Sequence, residues 1–174
     1  PFAGADDLLP VLCNTLGSTL DLNDLLETGA TGGTWAETTT PNLPSGANFN
    51  PATGLFDANG LAPQEYIFEY TVVGVSPCVV DVADFIVTVN EDPTVTIGPI
   101  PAELCAGDSL LLTGGPAGGT LAYTTHLWTG TGAAALINNA LQNPVFDSNV
   151  SGSGLFSITY TVTDANTCTA SGTI

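Results

Sequence analysis

Phe68-Glu69-Tyr70-Thr71-Val72, with Cys78 eight residues after the tyrosine, has a counterpart in Ile158-Thr159-Tyr160-Thr161-Val162, with Cys168 eight residues after its tyrosine. In the second stretch Phe156, Ile158, Tyr160 and Val162 share one parity, and Ser157, Thr159, Thr161 and Thr163 share the other. A strand points successive side chains to opposite faces, so this alternation predicts a half-buried β-strand. A strand that recurs together with its turn and its cysteine predicts an internal duplication.

Other landmarks line up when the two strands are superimposed. Cys13 precedes Cys78 by 65 positions and Cys105 precedes Cys168 by 63; Trp35 and Trp128 follow the first cysteines by 22 and 23. Leu12-Cys13 matches Leu104-Cys105, and each leads into a leucine-containing run, Ser18 to Leu22 and Ser109 to Leu112. Asn50-Pro51 and Asn143-Pro144 are expected to be equivalent. Short strand-like runs recur at about 8–12 residues between Gly, Pro, Asn and Asp clusters, the pattern of a β-sandwich. The fold expected is therefore all-β, two tandem Ig-like β-sandwich domains over 1–92 and 93–174, the second with a shortened last strand. Asp21 to Glu27 predicts a single helical turn, and the change of parity between Val82 and Phe85 predicts a bulge around Ala83-Asp84.

Composition narrows the function classes. Of 174 residues 17 are acidic, one is histidine, and none is lysine or arginine. Phosphate backbones are held mainly by Lys and Arg, so nucleic-acid recognition is disfavoured, as is binding to anionic membrane surfaces. Lysine-dependent isopeptide bonds cannot form, and trypsin has no site. An apolar content of 44% is sufficient for packed cores, while no apolar run reaches the ~18–20 residues of a membrane span. The absence of methionine, with Pro1 at the start, reads as a processed product or a piece of something longer. An extracellular, secreted or cell-surface location is expected.

Several segments resemble repeats of large Bacteroidota surface proteins. They are Pro1-x-Ala3-Gly4-x-Asp6 leading to Cys13, Gly32-Gly33-Thr34-Trp35, Tyr66-x-Phe68-x-Tyr70-Thr71-Val72 with Cys78, and Cys105-x-Gly107-Asp108 with Val162-Thr163-Asp164-Ala165-Asn166-x-Cys168. The repeats are Ig-like or PKD-like sandwiches strung in tandem in secreted adhesins, often gliding-motility-associated. The resemblance implies a repeat unit and says little about a ligand.

Four cysteines in such a chain predict disulfides, and four allow three pairings. Cys13–Cys78 with Cys105–Cys168 closes each domain on itself. The alternative pairs Cys13 with Cys168, and Cys105 with Cys78 of a following unit. It arises because the two cysteines of an Ig-like domain fall at opposite ends of a sandwich, beyond the ~7 Å a disulfide spans.

Asp57 and Asn59, and Asp164 and Asn166, form oxygen-rich turns, and Asp6-Asp7 and Glu91-Asp92 lie near domain ends. Calcium is the one cofactor these residues suggest; Asx turns need none. Trp35, Trp128, Tyr70 and Tyr160 are expected in the cores. His126 lies beside Trp128 without a nucleophile motif, so no enzyme activity is expected. Asn149 heads an N-glycosylation sequon, and Ser109 follows Asp108 in a short O-glycosylation-like motif. The function expected is a structural repeat of an extracellular fibre or adhesin stalk, joined head to tail to its own kind, with strand complementation capping open edges. The alternative is a module binding glycans or a surface through Gly132 to Gln142.

Overall fold

The structure is a computed structural model and describes residues 2–4, 10–40, 48–99 and 104–174. Asp6 and Asp7 lie outside them. The chain divides into two compact units, Pro1–Glu91 and Asp92–Ile174. Among the described residues of both, nearly all regular structure is β, in Ig-like sandwiches.

In the first unit the strands are β1 (Val11–Cys13), β2 (Thr19–Asp21), β3 (Thr34–Glu37), β4 (Phe49–Asn50), β5 (Leu55–Asp57), β6 (Gln64–Val72) and β7 (Asp81–Asn90). One sheet has the order β1-β7-β6-β3 and the other β2-β5-β4. Alternation in β6 turns Tyr66, Phe68, Tyr70 and Val72 inward. They meet Phe56, at 4.9 Å from the Phe68 ring, and Trp35, at 4.8 Å from the Tyr70 ring. The predicted helical turn is a 3-10 turn over Leu22–Leu25, started by the Asp21 carboxylate, which accepts from the Asn23 N–H at 3.0 Å.

Two local expectations are corrected. The β6–β7 register runs unbroken from Gln64↔Val89 to Val72↔Asp81, so there is no bulge at Ala83-Asp84. Ala83 is the inward residue there and Val80 and Val82 face out, because the ladder sets Ala83 directly opposite the inward Tyr70 and paired residues share a face. Likewise, Asn50-Pro51 and Asn143-Pro144 are not equivalent. The Leu22 N–H donates to Gly54 O and the Leu112 N–H to Pro144 O, both at 2.9 Å, so Pro144 matches Gly54.

The second unit contains β8 (Pro93–Gly98), β9 (Ser109–Leu111), β10 (Thr113–Gly118), β11 (Tyr123–Thr129), β12 (Leu136–Ile137), β13 (Val145–Asp147), β14 (Thr159–Asp164) and β15 (Thr169–Thr173), plus a one-turn helix α1 (Ser148–Ser151). Sheets β11-β14-β15 and β12-β13-β9 repeat the central pattern of the first unit, and β10 pairs with β8. The repeated tryptophan–tyrosine pair holds the same register, Trp35↔Tyr70 and Trp128↔Tyr160. So does the second sheet, with Leu20↔Phe56 and Leu110↔Phe146. The final strands differ: β7 has 10 residues and β15 has 5.

Candidate functional site

The chemistry-bearing residues begin with the cysteines, all four of which are described. Cys13 and Cys168 are disulfide-bonded, whereas Cys78 and Cys105 are free thiols exposed at the surface. Closure of each domain on itself is therefore overturned, and Cys78 and Cys105 are not bonded within the chain. The sheets supply the reason. Cys13 pairs with Asn90 at the end of β7, while Cys78 precedes Asp81 at its start. Nine strand steps at about 3.3 Å separate those ends by roughly 30 Å, several times the reach of a disulfide. In the second unit the Cys105 carbonyl accepts from Ser148 Oγ at 3.0 Å, before β9 begins. Cys168 lies in the turn after β14, where Asp164 also binds the Thr120 N–H beyond the end of β10. The length of β9 and β10 again lies between them.

The oxygen-rich turns are Asx turns. The Asp57 carboxylate accepts from the Asn59 N–H at 2.9 Å. Asp164 is only 1% exposed. Its Oδ1 accepts from the N–H groups of Asn166 and Cys168, both at 2.9 Å, and its Oδ2 from that of Thr120 at 2.8 Å. Asn166 Nδ2 donates to Thr120 Oγ1 at 2.7 Å. Hydrogen bonds to the protein thus account for this buried carboxylate, which fastens the turn carrying Cys168. Asp57 and Asp164 lie in separate units.

Superposing the registers reveals an equivalence that the sequence reading passed over. Phe56-Asp57-Ala58-Asn59 and Phe146-Asp147-Ser148-Asn149 occupy the same place, and the Asp147 carboxylate accepts from the Asn149 N–H at 2.9 Å. The Phe-Asp-x-Asn signal was available to find it. Asn149 is exposed in α1, and its Nδ2, the atom a glycan would join, donates to Asp147 Oδ1 at 3.0 Å. Ser109 is exposed at the start of β9.

Trp35 and Tyr70 are buried in one core, and Trp128 and Tyr160 in the other. Each tyrosine ring packs on a glycine, for a Cβ at Gly33 would lie 2.6 Å from the Tyr70 ring and one at Gly114 2.5 Å from that of Tyr160. Trp35 Nε1 donates to Asn23 Oδ1 at 3.0 Å, and Trp128 Nε1 to the Leu141 carbonyl at 2.9 Å. His126 Nδ1 lies 2.6 Å from Tyr160 Oη, with the rings stacked. Burial, and after it the neighbouring Tyr123 hydroxyl, pushes the Tyr160 hydroxyl above its ordinary value, and that hydroxyl is the histidine's polar partner.

The stretch from Gly132 to Gln142 is partly ordered as a 3-10 turn, Ala133–Ala135, followed by β12. Its amides brace the protein: Asn139 Nδ2 donates to the Trp128 carbonyl at 3.1 Å, and Gln142 Nε2 to that of Gly114 at 2.7 Å.

Glu37, at the end of β3, has a buried Oε1 without a hydrogen-bond partner among the described residues. Burial raises its carboxyl above the ordinary 4.5, and a hydrogen bond from Thr39 partly offsets this. The native state therefore holds this proton more tightly than the unfolded chain. Its stabilising contribution is complete below 4.5 and is lost as pH rises through the folded value. Glu37→Gln is expected to raise the melting temperature at neutral pH, with the gain vanishing as pH falls below 4.5. Calorimetry across that range checks it, and an equal gain at both ends would contradict the assignment.

No family model matches the sequence, and no curated protein does. Among solved structures the chain is similar to the N-terminal four Ig domains of a Dscam1 isoform, at 12% identity and a TM-score of 0.38, covering 99% of this chain and 44% of that one. It is also similar to the fibronectin(III)-like modules of Clostridium thermocellum CbhA, at 13% identity and a TM-score of 0.38, covering 99% and 88%. The chain spans less than half the length of the Dscam1 chain, and both similarities concern the fold alone.

Proposed function

We propose that this chain is a structural repeat unit of an extracellular fibre or adhesin stalk, of the kind found in Bacteroidota surface proteins, and that units join head to tail. The observation that carries this reading is the state of the cysteines. By the duplication, Cys13 corresponds to Cys105 and Cys78 to Cys168. The bonded cysteines are one of each class, and the free, exposed thiols are also one of each class. A Cys78–Cys105 bond between neighbours repeats the same class pairing, and a heterologous contact of this type propagates into an open filament. Strand addition at the open edge of the second unit would act alongside it. A net charge of −17 opposes association at low salt, so assembly calls for screening.

The test is oxidation by glutathione disulfide in physiological salt. Thiol–disulfide exchange converts two protein thiols and one glutathione disulfide into one protein disulfide and two glutathione thiols. Wild type is expected to give a ladder on a non-reducing gel, and filaments by electron microscopy. Cys78→Ser and Cys105→Ser should each stop at a dimer or below. A single monomer band for wild type, with dispersed particles, overturns the reading. Glycan recognition between Gly132 and Gln142 has weaker support, because its Asn139 and Gln142 amides already serve the protein backbone.

A further inference from the structure

The hairpin that joins β6 to β7 has no charged residue from Thr71 to Val80, in a chain with 17 acidic residues. Five valines on and beside it face solvent: Val73, Val75, Val79, Val80 and Val82 are between 45% and 85% exposed. The two legs of the hairpin touch. A Cβ on Gly74 would lie 2.5 Å from the Val79 carbonyl oxygen, and the Cys78 N–H donates to the Val75 carbonyl at 2.9 Å. The valines therefore form one patch, with the exposed thiol of Cys78 among them.

The internal duplication shows that the fold does not require this patch. Tyr70 pairs with Ala83 as Tyr160 pairs with Gly172, so the outward Val73, Val80 and Val82 match Thr163, Thr169 and Ser171. The second unit builds the same hairpin with hydroxyl side chains at those places. Away from the turn, the outward face of the first unit becomes polar where Glu69 pairs with Asp84. Asp81, the carboxylate nearest the turn in sequence, pairs with the inward Val72 and accepts from the Ala3 N–H at 2.7 Å. An apolar centre with a polar rim is the anatomy of an interface, and contiguous patches of this kind mark interaction sites.

Charge and thiol chemistry together identify the partner. Two copies that each carry −17 repel one another, and contact is least opposed through a patch without carboxylates. Cys105, the other exposed thiol, has its carbonyl held by Ser148 Oγ at 3.0 Å, which sets it against α1, where Val150 is 63% exposed. Cys168, the equivalent of Cys78, is 1% exposed in its disulfide. The bonded state of this hairpin cysteine is thus a covered one.

We infer that the valine hairpin is a docking surface for the Cys105 end of a second copy, an apolar contact that brings the two thiols together before any bond forms. The inference rests on the proposed head-to-tail assembly for its partner. It concerns non-covalent docking, so it can fail while the Cys78–Cys105 ladder stands, and the reverse.

The test uses the intact chain with Cys78→Ser and Cys105→Ser, which removes the covalent link and keeps the valines. Sedimentation equilibrium is expected to show reversible self-association that strengthens as salt rises to a physiological level, because screening relieves the repulsion. Val73→Thr, Val80→Thr and Val82→Ser together install the second unit's residues and should weaken association at least tenfold. The melting temperature should stay near that of the parent, because all three positions are exposed. With both thiols present, the same three substitutions should slow the glutathione-driven ladder at least tenfold. NMR shifts with rising concentration should appear in two places, residues 73 to 82 and residues 105 to 108 with Val150. No association, equal association of the substituted chain, or shifts at the hairpin alone overturns the inference, as does preferential binding of the hairpin to phosphatidylcholine vesicles. A ladder of unaltered rate strikes the docking surface and leaves the head-to-tail reading intact; docking without a ladder does the opposite.

Discussion

Trp128→Ala is expected to lower the stability of the second unit by about 3–5 kcal/mol, the range for removing a large buried aromatic. Trp128 is 0% exposed, its ring centroid lies 4.6 Å from that of Tyr160, and its Nε1 donates to the Leu141 carbonyl at 2.9 Å. Alanine leaves a cavity against Tyr160 and deprives that carbonyl of its donor, so transfer, cavity and hydrogen-bond losses act together. Trp128→Phe restores much of the volume without the N–H and should lose roughly half as much. Urea unfolding followed by near-ultraviolet circular dichroism measures both. A loss below about 1 kcal/mol for the alanine variant would mean that the core tolerates collapse at this site.

Asp164→Ala is expected to cost about 3 kcal/mol or more, through a different mechanism. Three backbone N–H groups, of Thr120, Asn166 and Cys168, converge on this buried carboxylate, and each orphaned donor costs about 1–3 kcal/mol where water cannot replace its acceptor. Partial solvation of the opened turn keeps the sum below the full total. Asp164→Asn retains the Oδ1 acceptor but turns an NH2 toward the Thr120 N–H, and should fall between wild type and alanine. Hydrogen exchange locates the effect: protection at Thr120, Asn166 and Cys168 should fall first. An unchanged exchange pattern would show that the turn is held by other means.

The repeated Tyr-Thr-Val strand, the opposing tryptophan strand and the single helical turn at Leu22–Leu25 were legible in the sequence, because alternation and capping are local signals. The same local logic misread β7. The change of parity between Val82 and Phe85 predicts a bulge, whereas Ala83 is the inward residue and the strand runs without one. Hydropathy ranks valine above alanine for burial, but the ladder to β6 decides which parity faces the core. Asp164 was singled out for its oxygens, yet its three donors come from both its own turn and Thr120, 44 positions away, which no local pattern displays. Asn59, a candidate metal ligand, and Asn149, a candidate glycan site, occupy the same corner of the two copies, an equivalence that only the registers display.

By itself the sequence determined that this protein is a duplicated, all-β chain without basic side chains, since period-two patterning and composition need no knowledge of which segments become neighbours. Only the tertiary structure decided which cysteines are bonded and which remain exposed thiols, and which residues of each repeated strand meet across the sheet. Those outcomes depend on strand order and register, which bring together residues tens of positions apart and set the roughly 30 Å between the cysteines of a single unit.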